Sequence, residues 1–573
     1  MSETQLADQF LYQSSLKSDP DVRVSSRKRV PFVIDINQGS YANGIITIDA
    51  TSQLNGAEGF GSLRDAYLMV PYKVSMKNTH ATVAMGAVAN RLCATLKAGN
   101  FNVIDGLSLE LNGKSILSMG DYKLFWNNLR AQTEYSPQYI EKHGAESFLY
   151  PDNAQSMLYN ASGATVGDGY SNNTAFSSAF GVAAAGGATI PNDGFVKRLL
   201  SNPPTAGVDA QAFWPSSGGV STSTTIANQL SRGAFVAGAA ATAGSVLGTW
   251  NYMLKIKLTD LHPIFKELDL LANPQIRLRL RINQGVSAIN ITSAGAMSLA
   301  TTTLSSGQTC PVMVSSAAAG NPMVGLIPAS SSAFSIAWGC VTNALEPTID
   351  GTYMPFTTCR LYVPFHDLEN PQAIISKPVK KIRYNTCYAQ WFYQRAGIGK
   401  QSTQFNTSFD LQLSASIKNA KYVALLPFAE ATNSLTAAVQ QFQSPFDSAP
   451  ATLHPGSSIR NFNVRIGSQQ VFDISYDYDF HAFCNEFAKL GAINGDLTPE
   501  LMNGLIDYST WSLTNRALVA DVSRLTEKDV PQAIQVMGTN CGAQGLNMLV
   551  LVISEQEMTF DRLTGEVLDY TAD

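Results

Sequence analysis

The sequence predicts an all-β chain folded as two β-sandwiches in tandem, with a few short connecting helices. Three observations carry that expectation. Apolar and polar residues alternate strictly over several short runs, helical periodicity is scarce and local, and one ordered set of features occurs twice along the 573 residues.

The alternation is clearest at Phe409, Leu411, Leu413, Ala415 and Ile417, interleaved with Asp410, Gln412, Ser414, Ser416 and Lys418. Ile276, Leu278, Leu280 and Ile282 alternate with Arg277, Arg279 and Arg281, and Ile46 and Ile48 are set against Thr47 and Asp49. Period two sends successive side chains to opposite faces, so each run reads as a strand with one buried face. Tyr122, Phe125, Trp126 and Leu129 share one helical face after a candidate cap at Asp121.

The repetition is the most informative feature. Tyr67-Leu68-Met69-Val70-Pro71-Tyr72 recurs as Arg360-Leu361-Tyr362-Val363-Pro364-Phe365. Ile104, Leu107, Leu109, Leu111, an Asn112-Gly113 turn and Ile116 recur, at a constant offset of 355, as Ile459, Phe462, Val464, Ile466, Gly467-Ser468 and Val471. An aromatic amphipathic helix follows each hairpin, Tyr122/Phe125/Trp126/Leu129 in one half and Phe480/Phe483/Phe487/Leu490 in the other. Each set ends in a strand, a short helical link and a second strand: Tyr252 to Leu258 and Ile276 to Ile282, then Ala517 to Val522 and Leu546 to Val552. Loops between landmarks differ, with 33 residues from Pro71 to Ile104 against 95 from Pro364 to Ile459, and 139 from Gly113 to Tyr252 against 51 from Gly467 to Leu518. Loops are where such variation is cheapest.

This divides the chain into an N-terminal arm (1–27), a first sandwich (28–310) and a second sandwich with a C-terminal tail (311–573). The Gly-, Ala-, Ser- and Thr-rich stretch 131–250 reads as one insertion into the first sandwich, forming an outer crown that contributes little to its fold. The similar stretch 284–335 reads as the crossing between domains.

Charged residues make up only 14% of the chain, against about 25% in ordinary globular proteins. A surface of small polar residues tolerates cover by neighbouring subunits, because few charges must be desolvated. The net charge of −5 excludes a basic coat on nucleic acid. The one basic cluster, Arg23, Arg27, Lys28 and Arg29, reads as a solvated linker before the first strand. Met1 to Asp21 is polar and acidic and reads as an arm, not a secretory signal. The longest apolar run, Met548 to Ile553, is far short of a membrane span. Cys93, Cys310, Cys340, Cys359, Cys387, Cys484 and Cys541 are odd in number and never in CxxC spacing, which predicts free thiols in a reducing compartment. The sequons at Asn160, Asn172, Asn290 and Asn406 then read as chance.

No catalytic, cofactor or metal site emerges. Gly113-Lys114-Ser115 would end a phosphate loop only with glycine at position 108, which is Ser108, and Asn-Gly between apolar alternations reads as a hairpin. His143 between Glu141 and Glu146 lacks a second histidine. Asp473, Asp477 and Asp479 lack the spacing of a calcium loop and read as acids at a helix N-terminus. Arg277, Arg279 and Arg281 read as the outward face of a strand. His80, His143, His262, His366, His454 and His481 are dispersed, with no nucleophile–base pairing. Two rival functions stay open on these residues: a receptor- or glycan-binding spike or lectin-like β-sandwich, and a β-sandwich hydrolase with carboxylates converging from distant positions.

Three segments resemble the double jelly-roll major capsid proteins of small eukaryotic DNA viruses, the virophages and polinton-like viruses. They are Cys359 to Phe365 followed by Asn370-Pro371 and Lys380 to Tyr384; Ile104 to Lys114; and Ile256 to Phe265 leading to Ile276 to Leu280. The resemblance implies two tandem eight-stranded jelly-roll β-sandwiches with large loop insertions. It implies a non-enzymatic capsid subunit that forms homotrimeric, pseudo-hexagonal capsomers of an icosahedral shell. Its partners would be neighbouring capsomers, a penton (vertex) protein and minor capsid or cement proteins, without cofactor or sequence-specific nucleic-acid binding. Its location would be the virion, assembled inside the host cell.

The cysteine pattern generates a first test. Mass spectrometry of the non-reduced protein is expected to find every cysteine as a thiol; two or more defined intramolecular bridges would contradict the reading.

Overall fold

A computed structural model describes residues 26–36, 44–49, 59–80, 91–151, 194, 197–198, 246–272, 275–291, 297–302, 308–317, 332–340, 359–392, 407–429, 459–473, 477–491, 504–508, 511, 517–525, 530–540 and 546–570. Sixteen strands among them fall into two sets of eight. The first is β1 (Ser26–Ile36), β2 (Ile45–Asp49), β3 (Tyr67–Asn78), β4 (Ile104–Leu111), β5 (Lys114–Met119), β6 (Val246–Lys257), β7 (Ile276–Ile282) and β8 (Cys359–Leu368). The second is β9 (Val379–Phe392), β10 (Thr407–Gln412), β11 (Ala420–Ala429), β12 (Ile459–Ile466), β13 (Gln469–Gln470), β14 (Leu518–Asp521), β15 (Ile534–Asn540) and β16 (Leu546–Asp561).

Antiparallel pairing orders the first set as β1-β8-β3-β6 and β2-β7-β4-β5. Adding eight to each number gives the second: β9-β16-β11-β14 and β10-β15-β12-β13. Two four-stranded sheets wired this way make a jelly roll. The chain therefore folds as two jelly rolls with one topology.

The wiring moves the expected boundary. β8 lies between β1 and β3, because the last strand of a jelly roll pairs with its first, so the first roll closes at Leu368 and not at 310. The stretch 284–335 is not a crossing between domains but part of the excursion from β7 to β8. There, Gly285–Ile291, Met297–Thr302 and Ser332–Cys340 extend the first roll's sheet past β3, while Val312–Ala317 pairs with Arg91–Leu96. The link between rolls is short, 369–378.

Two of the matched segments change partners for the same reason. Arg360 to Phe365 lies in β8, the neighbour of β3 and not its counterpart. The counterpart strand is β11, and the distance from Pro427 in it to Ile459 is 32 residues, against 33 from Pro71 in β3 to Ile104. Leu546 to Val552 lies in β16, and the counterpart of β7 is β15. The hairpins β4-β5 and β12-β13 occupy equivalent places, as the offset of 355 predicts.

Inward residues follow the period-two reading. Ile276, Leu278, Leu280 and Ile282 are buried while Arg277, Arg279 and Arg281 point out. In β16, Met548 to Ile553 are all buried, which requires cover on both faces of that sheet. Six α-helices are described end to end: α1 (Phe125–Glu134), α2 (Pro137–Ser147), α3 (Leu258–Leu261), α4 (Ile264–Glu267), α5 (Gln372–Ile375) and α6 (Phe480–Gly491). None is long and apolar enough to cross a membrane. α2 starts on Ser136, whose Oγ accepts the Tyr139 N–H, with Pro137 at its first position. Asp121 opens a 3₁₀ turn before α1 and does not cap it. Its counterpart Asp479 does cap α6, accepting the Ala482 N–H at 2.8 Å.

The expected crown is corrected at its start. Ala131, Ile140, Phe148 and Leu149 belong to the core, and buried Arg198 donates from Nε to the Leu96 carbonyl at 3.0 Å. Residues 152–193, 195–196 and 199–245 of that insertion, and 1–25 of the arm, lie outside the described residues.

Within the second roll, Lys421 and Glu555 form a buried ion pair at 3.1 Å, with side chains 5% and 6% exposed. Replacing Lys421 with Met removes the lysine partner of a buried carboxylate, and a loss of about 3–5 kcal/mol is expected. Adding Glu555→Leu should recover most of it. Denaturant unfolding of the single and double variants reads both values.

Candidate functional site

The most developed side-chain constellation is the seam between the two rolls. After β5 the chain enters α1, and the period of 3.6 puts Tyr122, Phe125 and Trp126 on one face. That face meets the outer side of the second roll's β9-β16-β11-β14 sheet. Tyr122 stacks on Trp391 with centroids 5.2 Å apart, and Phe125 meets Phe428 edge-on at 6.1 Å. Trp126 Nε1 donates to the Tyr422 hydroxyl at 2.9 Å, so the buried indole carries no orphan donor. Such aromatic pairs add about 0.5–1.5 kcal/mol each beyond area burial.

Beneath α1 lies the link from β6 to β7. His262 is buried there, ringed edge-on by Trp126 at 5.9 Å and Tyr384 of the second roll at 6.1 Å. Its Nδ1 accepts the Ile264 N–H at 3.1 Å, while Nε2 is buried without a hydrogen-bond partner. Arg130 covers the Trp126 ring, pairs with Glu134 at 3.4 Å and donates to the Thr259 carbonyl. Burial, then the Arg130 charge, holds His262 well below the usual histidine range. The Asp260 carboxyl beside it is pushed up by burial, against a hydrogen bond from Tyr135.

Polar latches frame this apolar middle. Lys380 Nζ reaches the Asp269 carboxylate at 2.8 Å and the Glu267 carbonyl at 2.9 Å. The Ala272 N–H donates to the Arg562 carbonyl at 2.9 Å. At the hairpin, Lys114 Nζ donates to the Val567 carbonyl at 2.7 Å and the Tyr570 hydroxyl to the Ile116 carbonyl at 3.2 Å. Gly113-Lys114-Ser115 is thus the turn and strand start of a β-hairpin, with Asn112 and Gly113 at φ 48° and 77°. Its lysine grips the neighbouring roll.

The remaining sequence candidates stay apart. Arg277 pairs with Asp49 and Glu110, Arg281 pairs with Asp105 at 2.7 Å, and Arg279 is exposed. His143 lies 5.1 Å from the Tyr139 ring, and Glu146 pairs with Lys255. Asp473, Asp477 and Asp479 are exposed. Arg27, Lys28 and Arg29 are exposed on β1; Arg23 and His454 lie outside the described residues. Among the described residues no three His, Cys, Asp or Glu gather as for a metal. Cys310, Cys340, Cys359, Cys387 and Cys484 are free thiols, and burial pushes Cys359 up to about 12. The sequence names His262 and Lys380 without assigning them a place in the seam, and does not single out Tyr422. The one available signal was the continuously apolar β11 and β16, which imply cover on both faces of their sheet.

No family model matches the chain, and no curated protein matches it. Among solved structures it is similar to a chain of the Sputnik virophage solved by cryo-electron microscopy, at 11% identity over 97% of this chain and 91% of that one, TM-score 0.47. It is also similar to the mavirus major capsid protein, at 12% identity over 97% and 89%, TM-score 0.33. The Faustovirus major capsid protein follows at 8% identity over 97% and 96%, TM-score 0.40.

Neutral His262 makes the seam sensitive to acid. An unfolded histidine takes up a proton near pH 6.5, whereas the folded one stays neutral well below that. Stability is therefore full above about pH 6.5 and falls by about 1.4 kcal/mol per unit below it, until the folded group titrates. Asp260, raised in the fold, acts in the opposite sense. His262→Asn, which keeps an acceptor for the Ile264 N–H, is expected to flatten the decline between pH 6.5 and 5; thermal unfolding across that window compares it with wild type.

Proposed function

We propose that the chain is the major capsid protein of a virophage- or polinton-like DNA virus, assembling as trimeric pseudo-hexagonal capsomers of an icosahedral shell. The observation that carries this reading is the pairing of two identically wired jelly rolls through an apolar, hydrogen-bonded seam. Each chain thereby supplies two similar sandwiches in fixed mutual orientation. Three copies related by a closed threefold supply six, enough to surround an axis as a near-hexagonal tile.

The surface chemistry supports a wall more than a wrapper. The net charge is −5, and two of the three arginines on the outward face of β7 pair with acids of the same sheet. A shell built this way needs no nucleic-acid sequence readout. Its partners are its own copies, neighbouring capsomers, a penton protein at the vertices and minor capsid or cement proteins. Its place is the virion, assembled inside the host cell, and its role is structural and not enzymatic.

Light scattering of the purified protein is expected to give the mass of three chains, and negative-stain microscopy to show hexagonal tiles or shells. A stable monomer at micromolar concentration would overturn the proposal.

A further inference from the structure

Two buried cysteines meet at a break in the first roll's sheet. β3 has two edges, and β6 occupies one of them from Tyr67 to Lys77. The other edge is shared: the strand Ser332–Cys340 pairs with Tyr72 to Asn78, and β8 pairs with Tyr67 to Met69. Both run antiparallel to β3, so they lie end to end. The first stops at Cys340 and the second starts at Cys359. The 18 residues between the two cysteines, 341–358, lie outside the described residues.

The register sets the two thiols side by side. Cys340 lies opposite Tyr72, and Arg360 lies opposite Met69, which places Cys359 against Val70. Val70 and Tyr72 point to one face and stand about 6.6 Å apart along the strand. That spacing falls within the Cα separation a disulfide spans, about 4.4–6.8 Å. All four residues are 0% exposed, and both thiols enter the same core. Pro71 faces the gap between the strand ends and has no N–H to be left unpaired there. Burial, and next the neighbouring Cys359, push the Cys340 thiol up, and burial pushes Cys359 up to about 12. Among the described residues the other buried thiols are engaged differently, Cys310 donating to the Val312 carbonyl and Cys387 to the Tyr388 carbonyl.

We propose that Cys340 and Cys359 form a redox site, which a low-molecular-weight disulfide such as oxidised glutathione converts into one intramolecular bridge. One cysteine thiolate attacks the small disulfide, releasing a small thiolate and leaving a mixed disulfide. The second cysteine thiolate attacks that mixed disulfide, forms the Cys340–Cys359 bond and releases the second small thiolate. The two cysteine protons end on the two released thiols, and two electrons pass from the pair to the oxidant. As isolated without oxidant both cysteines stay thiols, and their burial makes the exchange slow. Each sits at a strand end, where local opening costs least. The bond closes the 20 residues from Cys340 to Cys359 into a ring. It also fastens β8, which joins β1 to β3, to the strands that extend the sheet past β3. The bridge is a property of the single chain and requires nothing of the assembly proposed above.

Peptide mapping of the full-length protein tests this, after reduction, removal of the reductant and incubation of the folded chain with oxidised glutathione. The expected product is a Cys340–Cys359 link with the loss of two hydrogens, at least about tenfold more abundant than any other cysteine pairing. Dithiothreitol is expected to reverse it. Cys340→Ala is expected to leave Cys359 as a thiol or a glutathione adduct; if that variant does not fold, the wild-type map decides alone. An oxidised wild-type chain in which Cys340 and Cys359 are still alkylated as thiols once unfolded, or carry only glutathione, would overturn the proposal. So would a link that forms only when the chain is oxidised in denaturant. Neither result bears on the capsid reading, which the mass of the assembled protein tests.

Discussion

The constraint on which the molecule depends is that the β9-β16-β11-β14 sheet is covered on both sides. One face closes the second sandwich; the other receives α1 of the first. Leu549, Val550, Leu551, Val552 and Ile553 are each 0% exposed, a state no sheet with one solvated face reaches. The second roll in isolation would expose the outer half of that run as an apolar patch, so its sheet presupposes a neighbour. Trp126 and Tyr422 show why that neighbour is specific. Each brings one polar atom into the seam, and each satisfies the other.

From this follows the division of labour along the first roll. The described parts of its connections from β5 to β6 and from β6 to β7 form a structural wedge, with α1 carrying Trp126, the turn after α3 carrying His262, and α4 carrying Ile264 and Phe265. Beyond α2, buried Arg198 donates to the Leu96 carbonyl. The latches at Lys380 and Lys114 are partly exposed, an ion pair to Asp269 in the first case and bonds to backbone carbonyls in both, and they set register more than they add stability.

Much of this was legible in the sequence, and the errors have one cause. Alternation at β7 and β10 gave the strand faces, and the Asn112-Gly113 turn gave a hairpin whose counterpart lies at a constant offset. A strand motif, however, reports which face is buried and not which strand lies beside it. Leu361, Val363 and Phe365 in β8 resemble Leu68, Val70 and Tyr72 in β3 because both strands line one core as neighbours in one sheet. That likeness of neighbours mimics a likeness of repeats, so a boundary read from sequence falls at 310, whereas the strand pairing carries the first roll to 368. The seam was harder to see, because its residues are scattered from Lys114 to Tyr570 and only the wiring brings them together.

The same reasoning separates what a jelly roll needs from what this pair of rolls adds. A single roll needs one apolar face per sheet, and β2, β4 and β7 satisfy that with clean alternation. The second roll departs from alternation where it meets the first. The first roll is likewise buried on both faces from Val70 to Met76 of β3, but not in its outer row, where Val33 is exposed and Tyr67 and Tyr362, partly covered, carry hydroxyls able to face water. Tyrosine and arginine are the residues that serve a surface wet in one state and buried in the next, since each has a polar tip and a large contact area. Cys387 and Ile553 could not serve that role, and they sit where the covalent chain guarantees permanent cover. Thus the seam within the chain is closed by covalent connection and its Trp126 and Tyr422 polar atoms satisfy each other, whereas an exposed face keeps polar atoms that water can satisfy.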